Sequence, residues 1–179
     1  ERIVRLIDEL LVLFDQHFYR GDGTLREYFG NSWHLDENRG HEVEAGHHFE
    51  WAWLLAECAE LLDRPHLRDV AHDLYRWGER YGWDQVYGGY FDALDNHGAL
   101  HIATKRIWPL CEAIKAAARL GEGHLVRNVN FLNLHYCVDG AWREHLYRNL
   151  GLMTEHLPAT TLYHLTFAMS EVKKAANHG

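Results

Sequence analysis

Apolar residues recur at helical spacing in six separate stretches of this chain, and the connections between them alternate between short turns and long, aromatic-rich segments. Leu6, Ile7, Leu10, Leu11, Phe14 and Phe18 mark an amphipathic helix over about the first eighteen residues. Residues 20–44, rich in Gly, Asn and charge, read as a long irregular connection of the kind that often carries function. A strongly apolar helix is expected over 46–62, and after Pro65 a third over 66–81. Residues 87–98 alternate aromatic and polar side chains around turn chemistry, which predicts a short β-hairpin with residues 95–98 at its tip. Pro109 suits the first turn of a fourth helix that runs to Leu120 and stops at Gly121. A fifth helix is expected over 123–137, then a loop over 139–158 anchored by Trp142. A last helix covers 162–176, capped by Thr160 or Thr161. Such a chain builds an all-α domain of stacked helical hairpins, spanning 1–179, whose long loops gather at one end. Six helices in that arrangement leave an edge open, so a partner half is expected.

At 179 residues, one folding unit suffices. A net charge of −8 with neutral histidines speaks against nucleic acid as a partner, because phosphate binders concentrate Lys and Arg. No run of eighteen apolar residues is present to span a membrane, and no signal-peptide pattern opens the chain. The start at Glu1, without Met and already in a helical pattern, is what a piece of a longer protein would show. Cys58, Cys111 and Cys137 form no CxxC pair and lie in apolar stretches, so buried free thiols in a reducing cytoplasm are expected. The fifteen histidines are scattered, which excludes a tag.

Three clusters carry chemistry. In residues 46–55, GHHFEWAWLL, His47 and Glu50 stand three apart on one helical face, where a carboxylate can orient an imidazole and favour its charged form. Trp53 extends that face one turn, and His48 points elsewhere as a structural residue. Around Arg106, residues 106–116 read RIWPLCEAIKA, placing the indole of Trp108 and the carboxylate of Glu112 four apart. A sugar suits that pair, because its CH-rich face stacks on indole while its hydroxyls seek charged acceptors. In residues 160–165, TTLYHL, His164 falls in the first turn of the last helix, where the helix dipole disfavours a cation and keeps a base neutral. Taken singly, each cluster also fits an ordinary structural use.

In this order, and with DGAWRE at 139–144 and YGGYFDALDNHG at 87–98, these motifs make the chain resemble the N-acylglucosamine 2-epimerase family, which includes mannose isomerases and cellobiose 2-epimerases. The resemblance implies an (α/α)6 barrel of twelve helices with its site in the mouth, of which six helices would be the carboxy-terminal half. It implies His47 and His164 as the two acid/base histidines, Glu50 as the carboxylate orienting His47, and Trp53, Arg106, Trp108 and Glu112 as sugar-contacting residues. An arginine and a further histidine would come from the other half. The activity implied is movement of the carbon-2 proton of a free aldose through an enediol or enediolate. Mannose–fructose isomerisation is the first expectation and 2-epimerisation of an N-acylglucosamine the second. The partner is then a small sugar, the compartment cytoplasmic, and the assembly a homo-oligomer or a chain completed by an amino-terminal half.

No cofactor is required by that chemistry. A metal is not expected, since neither HExxH nor a pair of spaced carboxylate–His motifs occurs. Two other readings stay open: an (α/α)6 glycoside hydrolase or lyase using Glu50, Asp84 or Glu112 as opposed carboxylates, and a non-catalytic sugar-binding or assembly module.

Overall fold

The computed structural model describes residues 2–178. Helices α1 (Arg2–Leu13), α2 (Ala45–Leu61), α3 (His66–Gly82), α4 (Ile107–Leu120), α5 (Leu125–Phe131) and α6 (Thr161–His178) carry the fold. Both α1 and α5 end in a wider π-helical turn, at Phe14–Phe18 and Leu132–Tyr136. α2, α4 and α6 stand side by side as an inner row, with α3 packed behind α2 and α5 behind α4.

Composition explains the row. α2 is apolar on nearly every side, as a helix enclosed by neighbours must be. Its Ala45, Ala52, Ala56 and Ala59 let adjacent helices approach, while Phe49 and Leu55 fill the gaps and are fully buried. Each such large side chain stabilises the fold by about 1.5–3 kcal/mol through burial. α4 is equally enclosed, and Gly121 ends it in a left-handed conformation (φ 76°) with its N–H on the Ala117 carbonyl, a geometry glycine adopts without cost. Pro109 sits in the first turn of α4, where a missing N–H breaks no helical bond.

The strands are short: β1 (Glu42–Val43), β2 (Ala93–Asp95), β3 (Leu100–Ile102), β4 (Lys105–Arg106), β5 (Cys137–Val138), β6 (Ala141–Trp142) and β7 (His145–Leu146). β2 and β3 form the expected hairpin, joined on its other side by β1. Its tip is where the turn residues put it, but its arms are 93–95 and 100–102 rather than residues 87–92. The earlier stretch is held otherwise: Tyr90 is buried with its hydroxyl on Glu79 and Asn128, and Asp92 bonds Arg106, Thr104 and His145. β4 pairs with β7, fixing the loop that precedes α6 against the start of α4.

All three cysteines are free, but only Cys111 is buried; Cys58 is half-buried and Cys137 exposed, since Cys137 starts a surface hairpin. No helix among the described residues is long and apolar enough to cross a membrane. Two apolar helix faces are uncovered. On α1 only Leu11 is buried, while Ile3, Leu6, Leu10 and Val12 face outward; on α6 so do Leu162, Tyr163, Phe167 and Met169.

Candidate active site

The site forms where the amino-terminal turns of α2, α4 and α6 meet. His47 is the third residue of α2, Trp108 the second of α4 and His164 the fourth of α6. The half-buried indole of Trp108 lies between the two imidazoles, with ring centroids 5.0 Å from His47 and 5.7 Å from His164. Gly46 makes this possible: a Cβ there would overlap the outer edge of the Trp108 ring. The sequence brings together residues 117 positions apart because each occupies the same turn of a parallel inner helix.

Each histidine has its own carboxylate. Nδ1 of His164 is 2.7 Å from Oε1 of Glu112, whose side chain is fully buried. Nδ1 of His47 is 3.0 Å from Oε2 of Glu27, in the long connection after α1. The carboxylate in contact with His47 is therefore Glu27, and not the expected Glu50. Three residues of helix put Glu50 on the same face as His47, yet Glu27 reaches the imidazole from the loop side. The backbone N–H of Glu44 donates to Oε1 of Glu27 and holds it in place. Burial alone would lower the pKa of His47, but the Glu27 contact and the charges of Glu27, Glu44 and Glu50 outweigh it and raise the value. Burial likewise raises the carboxyl of Glu27 above its ordinary range, against the lowering pull of His47.

Glu50 stands between the two halves of the site. Burial first, and then the charge of Glu112, push its pKa up, while His47, Lys115 and His164 draw it down. Trp53, one turn deeper, lies with its ring over the Nζ of Lys115 at 4.3 Å and edge-on to Phe167.

Arg106 caps the cluster from the amino end of α4. Its guanidinium bonds Asp92 at 3.0 Å and Glu44 at 2.6 Å and lies 5.6 Å from the Trp108 ring. Glu27, Glu44 and His47 together offer three ligand atoms within 4.8 Å of one another, the spacing of a cation site. Arg106 already supplies that trio with a fixed positive charge on Glu44, so a dication would meet a resident guanidinium.

His48 does what its position suggested. It is fully buried, stacked on Trp77 at 4.3 Å, with Nδ1 donating to the Glu44 carbonyl and Nε2 accepting from the Leu25 N–H. Burial holds its pKa down at about 3. It pins the long connection to α2 and thereby places Glu27. Beside His47, a cavity of about 200 Å³ opens between Phe18, Leu25, Trp51 and the Arg26–Glu27 pair. Around α6, Thr161 donates to the Glu144 carboxylate at 2.6 Å, Trp142 Nε1 donates to the same group at 3.2 Å, and the Ile107 N–H donates to the Glu144 carbonyl. Glu144, in the DGAWRE segment, thus ties the first turns of α4 and α6 together.

Helical hairpins in a row, with functional side chains at the loop-rich end of the inner helices, define one half of an (α/α)6 barrel. The chain belongs to the N-acylglucosamine 2-epimerase family, whose sequence pattern matches residues 2–168. A curated relative, mannose-6-phosphate isomerase of Rhizobium meliloti (strain 1021), is 32% identical over 189 residues, covering 94% of this chain and 47% of the relative. A crystal structure of D-mannose isomerase superposes with a TM-score of 0.76 at 23% identity, over 84% of this chain and 44% of that one. Cellobiose 2-epimerase from Spirochaeta thermophila DSM 6192 gives a TM-score of 0.79 at 13% identity, over 93% and 46%. The chain spans about half the length of the curated relative it matches.

Proposed function

We propose that this chain forms one wall of the site of a sugar isomerase or epimerase that moves the carbon-2 proton of an open-chain aldose, with His47 and His164 as its acid/base pair. The observation that carries this reading is the placement of Trp108 between the two imidazoles, at 5.0 and 5.7 Å, with a carboxylate behind each. A sugar stacked on the indole would have one imidazole toward each end. His47, its pKa raised by Glu27, holds a proton more readily than a free imidazole and is suited to donate it in ring opening and to the sugar oxygens. His164, in the first turn of its helix with Nδ1 on Glu112, presents Nε2 as the base.

The base takes the proton from carbon 2, and the electron pair of that C–H bond forms the C1=C2 bond as the carbonyl π electrons move onto oxygen 1. Three helix amino termini converge there, each favouring developing negative charge by about 0.3–1 kcal/mol. Protonation at carbon 1, with the oxygen 2 proton released, gives the ketose; protonation at carbon 2 from the opposite face gives the epimer. Arg106 and Glu50 position hydroxyls and Trp53 supports the wall from below, whereas Glu112, expected to contact the sugar, is fully buried between His164 and Lys115 and acts through the imidazole instead.

Mannose–fructose isomerisation is the first reading for the substrate, in keeping with relatives named mannose-6-phosphate isomerase and D-mannose isomerase. Epimerisation of an N-acylglucosamine is the second, from the family description. The uncovered faces of α1 and α6 support a further half closing the barrel, supplied by an amino-terminal segment or a second copy. Proton NMR in heavy water with mannose, fructose, glucose and N-acetylmannosamine tests the reading: a carbon-2 signal disappears while a ketose or epimer grows in. Release of reducing ends from an oligosaccharide without such exchange would favour a glycosidase instead.

A further inference from the structure

Lys115 is the one fully buried cation of the inner helices among the described residues. It lies on α4, one turn beyond Glu112, and apart from these two the buried residues of that helix are Ile, Pro, Leu, Cys and Ala. Its Nζ is 2.6 Å from Oε2 of Glu112, and neither side chain is exposed. No hydrogen-bond acceptor in good geometry meets the ammonium among the described residues. Aromatic faces surround it instead: Trp53 at 4.3 Å, Tyr163 at 5.8 Å and Phe167 at 5.9 Å. A buried ammonium so enclosed is costly unless it serves the charge beside it. Nothing in core packing calls for it, since methionine would fill the same space.

The other oxygen of that carboxylate, Oε1, is the one that meets His164 at 2.7 Å. The three groups therefore form a line from the interior to the site, ammonium to carboxylate to imidazole. Resting on the reading of His164 as the base, we propose that Lys115 is a positioning residue. Its buried charge keeps Glu112 an ionised acceptor turned toward Nδ1 of His164, which fixes the imidazole tautomer with Nε2 free and holds down the affinity of that nitrogen for a second proton. An ionised Glu112 alone would attract a proton to the imidazole; the ammonium offsets that pull and leaves the hydrogen bond.

The charged and titratable groups facing His164 are Glu112 and Lys115 from α4, Glu50 from α2, Tyr163 on its own helix, and Glu144, which bonds Thr161 at the start of α6. Removing the ammonium makes this surrounding more negative by one charge, so the site takes up a proton at higher pH.

The test is the titration of the His164 imidazole by nitrogen-15 NMR in the wild-type chain and in Lys115→Met, which keeps length and removes charge. The midpoint is expected to rise by about one pH unit, the size of shift a neighbouring charge produces, with the wild type showing the Nδ1–H tautomer. Should Lys115→Met not fold, Lys115→Gln takes its place, retaining a donor to Glu112 without the charge, and carries the same expectation. An unchanged midpoint in whichever variant folds, or an Nε2–H tautomer in the wild type, overturns the proposal. The titration needs no turnover, so it answers even where no sugar is converted; absence of exchange in the wild type counts against the isomerase reading alone. Where exchange is seen, the acid limb of kcat/KM moves upward with the imidazole, which a purely structural lysine would not cause.

Discussion

Nδ1 of His164 and Oε1 of Glu112 lie 2.7 Å apart, the first at the rim of the site and the second fully buried. This pair links α6 to its inner-row neighbour α4 and joins a part-buried imidazole to an interior charge.

Substitution should separate the two partners. His164→Asn is expected to lower carbon-2 exchange by about 10²–10⁴-fold, the usual worth of general acid–base catalysis, with thermal stability close to wild type. Glu112→Gln should also destabilise the chain by about 3–5 kcal/mol, because it leaves a buried ammonium unpaired. Urea unfolding beside the exchange assay reads both effects.

Gly46 and Trp108 give a steric prediction. A methyl group at position 46 would overlap the indole, so Gly46→Ala is expected to displace Trp108 and cost about 1–3 kcal/mol. A shift in tryptophan emission and a lowered Tm check it, and KM for the sugar should rise more than kcat falls.

Two adjacent histidines should act oppositely on stability as pH changes. His48 is buried neutral with its pKa held at about 3, so its contribution is present above about pH 6.5. It is lost as pH falls from there toward 3, where the unfolded chain binds a proton that the folded chain refuses. His47 has a raised pKa, so its contribution is present below about pH 6.5 and fades as pH rises through the folded value. Urea midpoints between pH 4 and 8 should show the acid fall flatten in His48→Gln. In Glu27→Gln the loss on the alkaline side should disappear.

The uncovered faces predict association. Ile3 is 73% exposed and Leu6 55%, on a helix that buries only Leu11. Sedimentation should show the chain pairing with itself or with an added amino-terminal half, and Leu6→Lys with Leu10→Lys should weaken that pairing. A strictly monomeric wild type at all concentrations would count against it.

Helical periodicity made most of the fold legible, because each inner helix carries a long apolar pattern and each break has its own Gly or Pro, as at Pro65 and Gly121. The motif spacing placed His47, Trp108 and His164 in first turns, and a shared turn of parallel helices is what brings them together. Partners lying far off in sequence were hidden. Glu27 reaches His47 from a loop twenty residues upstream, and local spacing pointed to Glu50 instead. Asp92 and His145 were also invisible, since their bonds to Arg106 and to each other cross between loops. Lys115 drew no notice in the sequence, because its burial depends on Trp53, Tyr163 and Phe167 from two other helices. The hairpin arms were misplaced because Tyr90 and Asp92, which alternate like strand residues, spend their polar groups on Glu79 and Arg106.

The central claim is that the imidazoles flanking Trp108 exchange the carbon-2 proton of an aldose. Its most direct test is deuterium incorporation from heavy water into mannose and fructose, comparing the wild-type chain with His164→Asn and His47→Asn. Deuterium at carbon 2 of the aldose or carbon 1 of the ketose with the wild type, and none above background with either variant, is the predicted result. Incorporation that survives both substitutions, or wild-type protein that exchanges none of the sugars while binding them, would contradict it.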